Sequence, residues 1–258
     1  MYFEDQYLTD EQRMMRDTSR RYVDRVVIPF LAENRMREWE MDPSARLAPH
    51  LLEEADAAGL RSLGVPERFG GVALEAATAS QTLALIATEL ARGDSGLADK
   101  LVQNWKIAVL ISRFAPEDLQ EYWFTRYMAE PQFLMAHCLT EPAGASDRWL
   151  PYSVPEVNMN TTAVLEGDTW VINGRKQFIS NGYDASLYVV YANTNDAQPM
   201  SKGTSSVIVG RDTPGLEVTR CNETIGGRYM NNGEITFTDC RVPAANLLVR
   251  DDALAQAG

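Results

Sequence analysis

Apolar positions change their period partway along the chain. In the first half they recur every three to four residues, as on helices with one buried face. Met15, Tyr22, Val26 and Phe30 share such a face, and Thr9 followed three residues later by Gln12 fits a capping box at its start. Pro29 is expected to kink or end this helix, because proline has no N–H to donate and crowds the preceding turn. A second helix is predicted from about Ala45 to Leu60. The run LGVPERFGGVAL then breaks the pattern with Pro66, Gly70 and Gly71. A third helix is predicted over about Glu75 to Ala91, punctuated by Gly93. A fourth carries Leu97, Leu101, Trp105 and Ala108; a fifth begins at Pro116, with Leu119, Trp123 and Tyr127 on one face.

From about Phe133 the texture alternates. TTAVLEG, TWVING, LYVVYA, SSVIVG, LEVTRC and EITFTD are short, rich in Val, Ile, Thr and Tyr, and bounded by Gly, Asn and Asp. EGDTW reads as a hairpin turn between two of them. Strands at this spacing with no helix between them point to an antiparallel sandwich or barrel, not a parallel α/β sheet. The fold class is therefore α+β: an N-terminal helical bundle followed by an antiparallel β-barrel or sandwich domain. The tail DDALAQAG turns helical again, and RWLPYSVPEVNMN (148–160) reads as a surface loop.

Composition narrows the function classes. Of the 258 residues 45% are hydrophobic and 23% charged, which excludes a disordered or collagen-like chain. Lys plus Arg is 24 and Asp plus Glu is 36, so the net charge is −12, the wrong sign for a nucleic-acid binder. Three cysteines, Cys138, Cys221 and Cys240, cannot all pair, and with only His50 and His137 there is no metal-ligand spacing. Free thiols, an acidic polar N-terminus and apolar runs no longer than that from Leu187 to Ala192 lead to the expectation of a cytoplasmic protein without a membrane span. There is no GxGxxG after a strand, no GxxxxGK[ST], no GxSxG and no HExxH. His50 reads as a surface or packed helical residue, and His137 as a packed strand residue.

Two segments carry candidate chemistry. AHCLTEPAGASD (136–147) is a strand ending in a small-residue turn, with hydroxyls at Thr140 and Ser146 and permissive backbone at Gly144: a candidate anion or cofactor cradle. WVINGRKQFISNG (170–182) offers a turn at Asn173-Gly174, cations at Arg175 and Lys176, and a short strand Phe178-Ile179-Ser180. An aromatic with an adjacent hydroxyl can cover a flat ring and hydrogen-bond to it; core packing is the alternative for Phe178.

Together with PERFGG near Pro66 and the late stretch IGGRYMNNGEITFTDCRVPAANLL, these motifs make the chain resemble the acyl-CoA dehydrogenase family of flavoproteins over essentially its whole length. The resemblance implies a helical domain over residues 1–130, a β-domain over 131–248, and in 249–258 the start of a third, helical domain that is absent. It implies FAD as cofactor and α,β-dehydrogenation of an acyl-CoA thioester. Leu139 and Thr140 would bind the pyrimidine side of the flavin, with His137 beside the ring. Phe178 stands where the family usually has a shielding tryptophan, and Ser180 where a threonine donates to N5. Ala145 and Ser146 would lie in the pyrophosphate turn, Ser146 also near the substrate thioester. The usual Gly-Ala-Gly-Ser-Asp is here Ala143-Gly144-Ala145-Ser146-Asp147, so a methyl at Ala145 is expected to narrow the turn.

The family's catalytic glutamate belongs to the third domain, so no catalytic residue is expected in this chain, and the isolated chain is expected to be inactive and to hold FAD weakly. The expected partners are the acyl-CoA substrate, an electron-transferring flavoprotein or similar acceptor, and further subunits of a homo- or hetero-oligomer. The alternatives are a flavin monooxygenase or nitroalkane oxidase of the same fold, or a non-catalytic subunit completed by a partner chain.

Overall fold

The computed structural model describes residues 5–75, 77–144 and 158–249. Helix α1 (Asp10–Tyr22) opens with the expected capping box: Gln12 N donates to Thr9 Oγ at 3.2 Å and Thr9 N to Gln12 Oε1 at 3.0 Å. The helix does not end at Pro29. Val23–Val27 form a wider π turn in which the Ile28 N–H bonds the Val23 carbonyl, and the helix resumes as α2 (Ile28–Glu33). Pro29 then falls in the first turn of the resumed helix, where a missing N–H costs little.

The second predicted helix, about Ala45 to Leu60, is instead divided between the end of α4 (Pro43–Arg46) and α5 (Pro49–Ala57), and a short α3 (Arg37–Glu40) precedes them. The residue before a proline is pushed out of the helical region, and Ala48 before Pro49 is extended, with ψ 132°. Helix α6 (Ala79–Gly93) begins a turn later than expected, and α7 (Ser95–Phe114) is capped by Asp94, which accepts from Leu97 N at 2.7 Å. Helix α8 (Glu117–Ala129) follows Pro116.

The second half is a sheet. Its strands are β1 (Met135–Cys138), β2 (Thr162–Glu166), β3 (Thr169–Ile179), β4 (Leu187–Asn193), β5 (Thr204–Gly210), β6 (Leu216–Cys221), β7 (Gly233–Pro243) and β8 (Leu247–Val249), with a short helix α9 (Met200–Gly203) before β5. The order is β6-β7-β3-β2-β4-β5-β8, with β1 beside β4. The pairs are antiparallel except β1–β4 and the single bridge Thr162–Asn193 between β2 and β4, both parallel. Among the described residues the ladder does not close into a ring. The hairpin at EGDTW is present, with Gly167 at φ 65° between Glu166 and its partner Thr169. Asn173-Gly174, by contrast, is not a turn. It lies inside β3 at a bulge, where a Cβ on Gly174 would stand 2.5 Å from Thr161 Cα. Glycine is there because two backbones cross.

Strand β4 is buried along its whole length. Leu187, Val189 and Tyr191 pack with Ile107, Ile111, Phe124 and Phe133 of the helical side. Tyr188, Val190 and Ala192 pack with Ile172, Val207, Ile235 and Phe237 between the folded-over strands. The helices have a further core of their own around Val23, Leu52, Ile86, Leu101 and Trp105.

Candidate functional site

The C-terminal end of β3 and the turn after it lie beside β1 and the segment that follows it. Asn181 Nδ2 donates to Met135 O at 3.1 Å, Gln177 N to Thr140 O at 3.0 Å, and Lys176 Nζ to Leu139 O at 3.1 Å. From Gln177–Thr140 to Asn181–Met135 one number rises as the other falls, so the two segments run in opposite directions. The contacts bracket Phe178 and Ser180 on one side and His137, Leu139 and Thr140 on the other. Five of the residues expected at the site thus meet on one stretch of apposed backbone.

Phe178 sits where the β3–β7 register slips, between Lys176 and Ile179. Its φ is +56° and the residue is 57% exposed. A left-handed conformation on a non-glycine residue costs on the order of 1–3 kcal/mol and persists where the surroundings enforce it. The bulge turns an aromatic ring outward that regular alternation would bury, so core packing is not its role. Ser180 is not in a strand, as expected, but in the turn after β3, half-buried and next to Asn181, whose φ is +61°. The hydroxyls of Thr140 and Ser180 make no hydrogen bond to a described residue. An exposed ring with two uncommitted hydroxyls close by fits a planar heterocycle with a polar edge.

Beneath this surface lies a buried ion pair. Lys176 Nζ is 2.8 Å from Glu141 Oε1. Glu141 also accepts from Thr161 N at 2.9 Å and Asn160 N at 2.7 Å. Burial raises the Glu141 pKa, but the Lys176 charge and the hydrogen bonds from Lys176 and Thr161 outweigh it, and the carboxyl is held below its usual range. The Glu141 backbone closes a tight turn, its N–H donating to Gly144 O at 2.7 Å and its carbonyl accepting from Gly144 N at 3.3 Å. The pair therefore anchors the start of the small-residue turn. Sequence reasoning noted Lys176 only as a cation and missed Glu141, which nothing in its own segment marks as buried.

His137 is half-buried and meets Tyr191 edge to face, with ring centroids 4.7 Å apart. His50 is on the surface, its ring 5.5 Å from that of Phe30. Ala145, Ser146, most of the 148–160 loop and the tail from 250 lie outside the described residues. A groove of about 790 Å³ opens elsewhere, between α8 and the turn after β5, lined by Tyr122, Trp123, Arg126, Arg211 and Pro214 among others. None of the expected site residues lines it.

The same two regions match known sequences. A family model described as the N-terminal domain of acyl-CoA dehydrogenase matches residues 9–130, and one described as its middle domain matches residues 136–240. The chain belongs to the acyl-CoA dehydrogenase family. Among acyl-CoA dehydrogenase relatives, the cyclohex-1-ene-1-carbonyl-CoA dehydrogenase of Geobacter metallireducens is 33% identical over 242 residues, 94% of this chain and 58% of that protein. The acyl-CoA dehydrogenase of Bacillus anthracis, solved in complex with FAD, is 28% identical with a TM-score of 0.79, covering 99% of this chain and 40% of that one. A structure described as an electron transferring flavoprotein of Acidaminococcus fermentans is 28% identical with a TM-score of 0.80, covering 100% of this chain and 62% of that one. The chain thus spans 58% of the length of the Geobacter relative. Among its described residues, no helix is long and apolar enough to cross a membrane.

Proposed function

We propose that this chain forms the FAD-holding part of an acyl-CoA dehydrogenase, which removes two hydrogens across the α,β bond of a CoA thioester. The observation that carries this reading is the outward-turned Phe178 on its left-handed backbone, set beside the hydroxyls of Thr140 and Ser180. FAD, when bound, supplies the hydride acceptor.

The chain's own residues hold and orient it. Phe178 covers one face of the ring and keeps water from it. Leu139 and Thr140 bind the pyrimidine edge, His137 flanks the ring, and the Ser180 hydroxyl donates at N5. By the family resemblance, Ala145 and Ser146 would serve the pyrophosphate, and Ser146 the substrate thioester as well. Glu141 is no base for the α-proton: it is buried, paired with Lys176 and held in its weakly basic, ionised form. The base comes from outside this cradle.

The domain division in this reading is 1–130, 131–248, and 249–258 as the lead into a further helical domain. An electron-transferring flavoprotein or similar acceptor takes up the electrons. The protein works as an oligomer in the cytoplasm, where buried Cys138 and Cys240 stay reduced.

Titration of the purified protein with FAD, followed by flavin fluorescence, tests the reading. Saturable binding with a changed emission supports it, and loss of that change on addition of a competing flavin confirms the site is shared. An unchanged emission at millimolar FAD overturns it.

A further inference from the structure

Lys100 lies on α7, far from the flavin-facing residues in sequence, and its side chain is completely buried. It touches the turn after β3 at two points. Its ammonium stands 2.7 Å from Asp184 Oδ2, and its backbone carbonyl accepts from Asn181 Nδ2 at 3.0 Å. Asn231 Nδ2 donates to the same Asp184 oxygen at 2.7 Å. Within the turn, Asn181 O accepts from Asp184 N and Ala185 N, each at 2.9 Å. The turn thus cannot shift without breaking a contact to Lys100 at one end or the other.

This explains what enforces the left-handed backbone of Asn181, the residue next to Ser180. A strained conformation needs over-determination by its surroundings, and a buried ammonium with a carboxylate partner is a rigid, expensive anchor to displace. A plain core contact in this place would call for leucine or methionine; a fully buried lysine is chosen for a charge and three directed donors.

We propose that Lys100 is a positioning residue for the flavin: clamping Asp184 and Asn181, it sets where the Ser180 hydroxyl and the Phe178 ring stand against the cofactor. The inference rests on the flavin reading above. Lys100 contacts no cofactor atom in this assignment; it acts through the turn.

The test is a double-mutant cycle on FAD affinity and on the visible spectrum of the bound flavin. Ser180→Ala alone and Lys100→Met alone are each expected to weaken FAD binding, Lys100→Met about tenfold, and to shift the flavin band in the same sense. In the Lys100→Met background, Ser180→Ala is expected to add little to either, because the hydroxyl is already misplaced. Asp184→Asn, which keeps the side-chain shape and an acceptor for Asn231, covers the case in which Lys100→Met does not fold, and is expected to act in the same direction. Full additivity of the two substitutions, or FAD affinity and spectrum unchanged in a folded Lys100→Met or Asp184→Asn protein, overturns the positioning role while leaving the flavin reading intact. Absence of FAD binding by the unsubstituted protein overturns both.

Discussion

Lys176 and Glu141 form an ion pair with a 2.8 Å contact and almost no exposure of either side chain. Each group is the other's compensation for leaving water. The pair also carries load in three directions, since Lys176 donates to Leu139 O and Glu141 accepts from the backbone at Asn160 and Thr161. The segment after β1, the middle of β3 and the approach to β2 are joined at one point.

Lys176→Met should therefore be severely destabilising. It strands a buried carboxylate, and breaking such a pair from one side costs about 3–5 kcal/mol. Urea denaturation monitored by tryptophan fluorescence measures the loss. A change below 1 kcal/mol would mean that the pair is solvated in solution.

Glu141 also sets a pH dependence. Its folded pKa lies below the ordinary value of 4.5, so its stabilisation is fully present above that value. It is lost as pH falls from there through the lower folded pKa. Unfolding free energies between pH 3 and about 6 should fall more steeply toward acid for the native sequence than for Glu141→Gln. Parallel curves would remove Glu141 as a source of acid sensitivity.

Phe178→Gly separates stability from binding. Glycine accepts the +56° φ without a Cβ penalty and the exposed ring packs little. After glycine's own entropy cost, the variant should be as stable as the native protein or up to about 1 kcal/mol more stable. FAD binding should weaken at the same time. A thermal melt and an FAD titration on one preparation check both, and unweakened binding would take Phe178 off the ring.

The cysteines should differ in reactivity. Burial pushes the Cys138 thiol up to about 12 despite the nearby Lys176, and the Cys240 thiol up to about 11. Both should resist iodoacetamide in the native protein at pH 8, because the thiolate is the reactive form. Half-buried Cys221 should react first, though more slowly than a free thiol, since burial raises its pKa as well. Mass spectrometry of native and urea-unfolded protein distinguishes the three.

Features set by neighbours in the chain were legible from the start. Thr9 and Gln12 are three residues apart, and the Gly167-Asp168 hairpin joins adjacent strands, so local chemistry sufficed. The break before Pro49 is equally local, since proline forces Ala48 out of the helical region although the apolar period runs on through it. Partners distant in sequence were not legible. Glu141 and Lys176 are 35 residues apart, and Lys100 and Asp184 are 84 apart. Nothing in either segment alone marks these charges as buried. The parallel placement of β1 against β4 likewise depends on a long-range crossover, and β8, three residues long, has too few positions to show alternation. For Phe178 the residues alone left ring-covering and core packing both open, because a bulge shifts the inside–outside pattern by one residue without altering composition.

Strand β4, buried on both faces, makes the two halves one cooperative unit. A strand with a solvated side can fray while the core behind it survives. Leu187, Val189 and Tyr191 belong to one apolar cluster and Tyr188, Val190 and Ala192 to the other, so detaching β4 empties both together. Its amides can exchange with solvent only through openings that dismantle the helical and sheet layers at once, the slowest and most global motions available to the molecule.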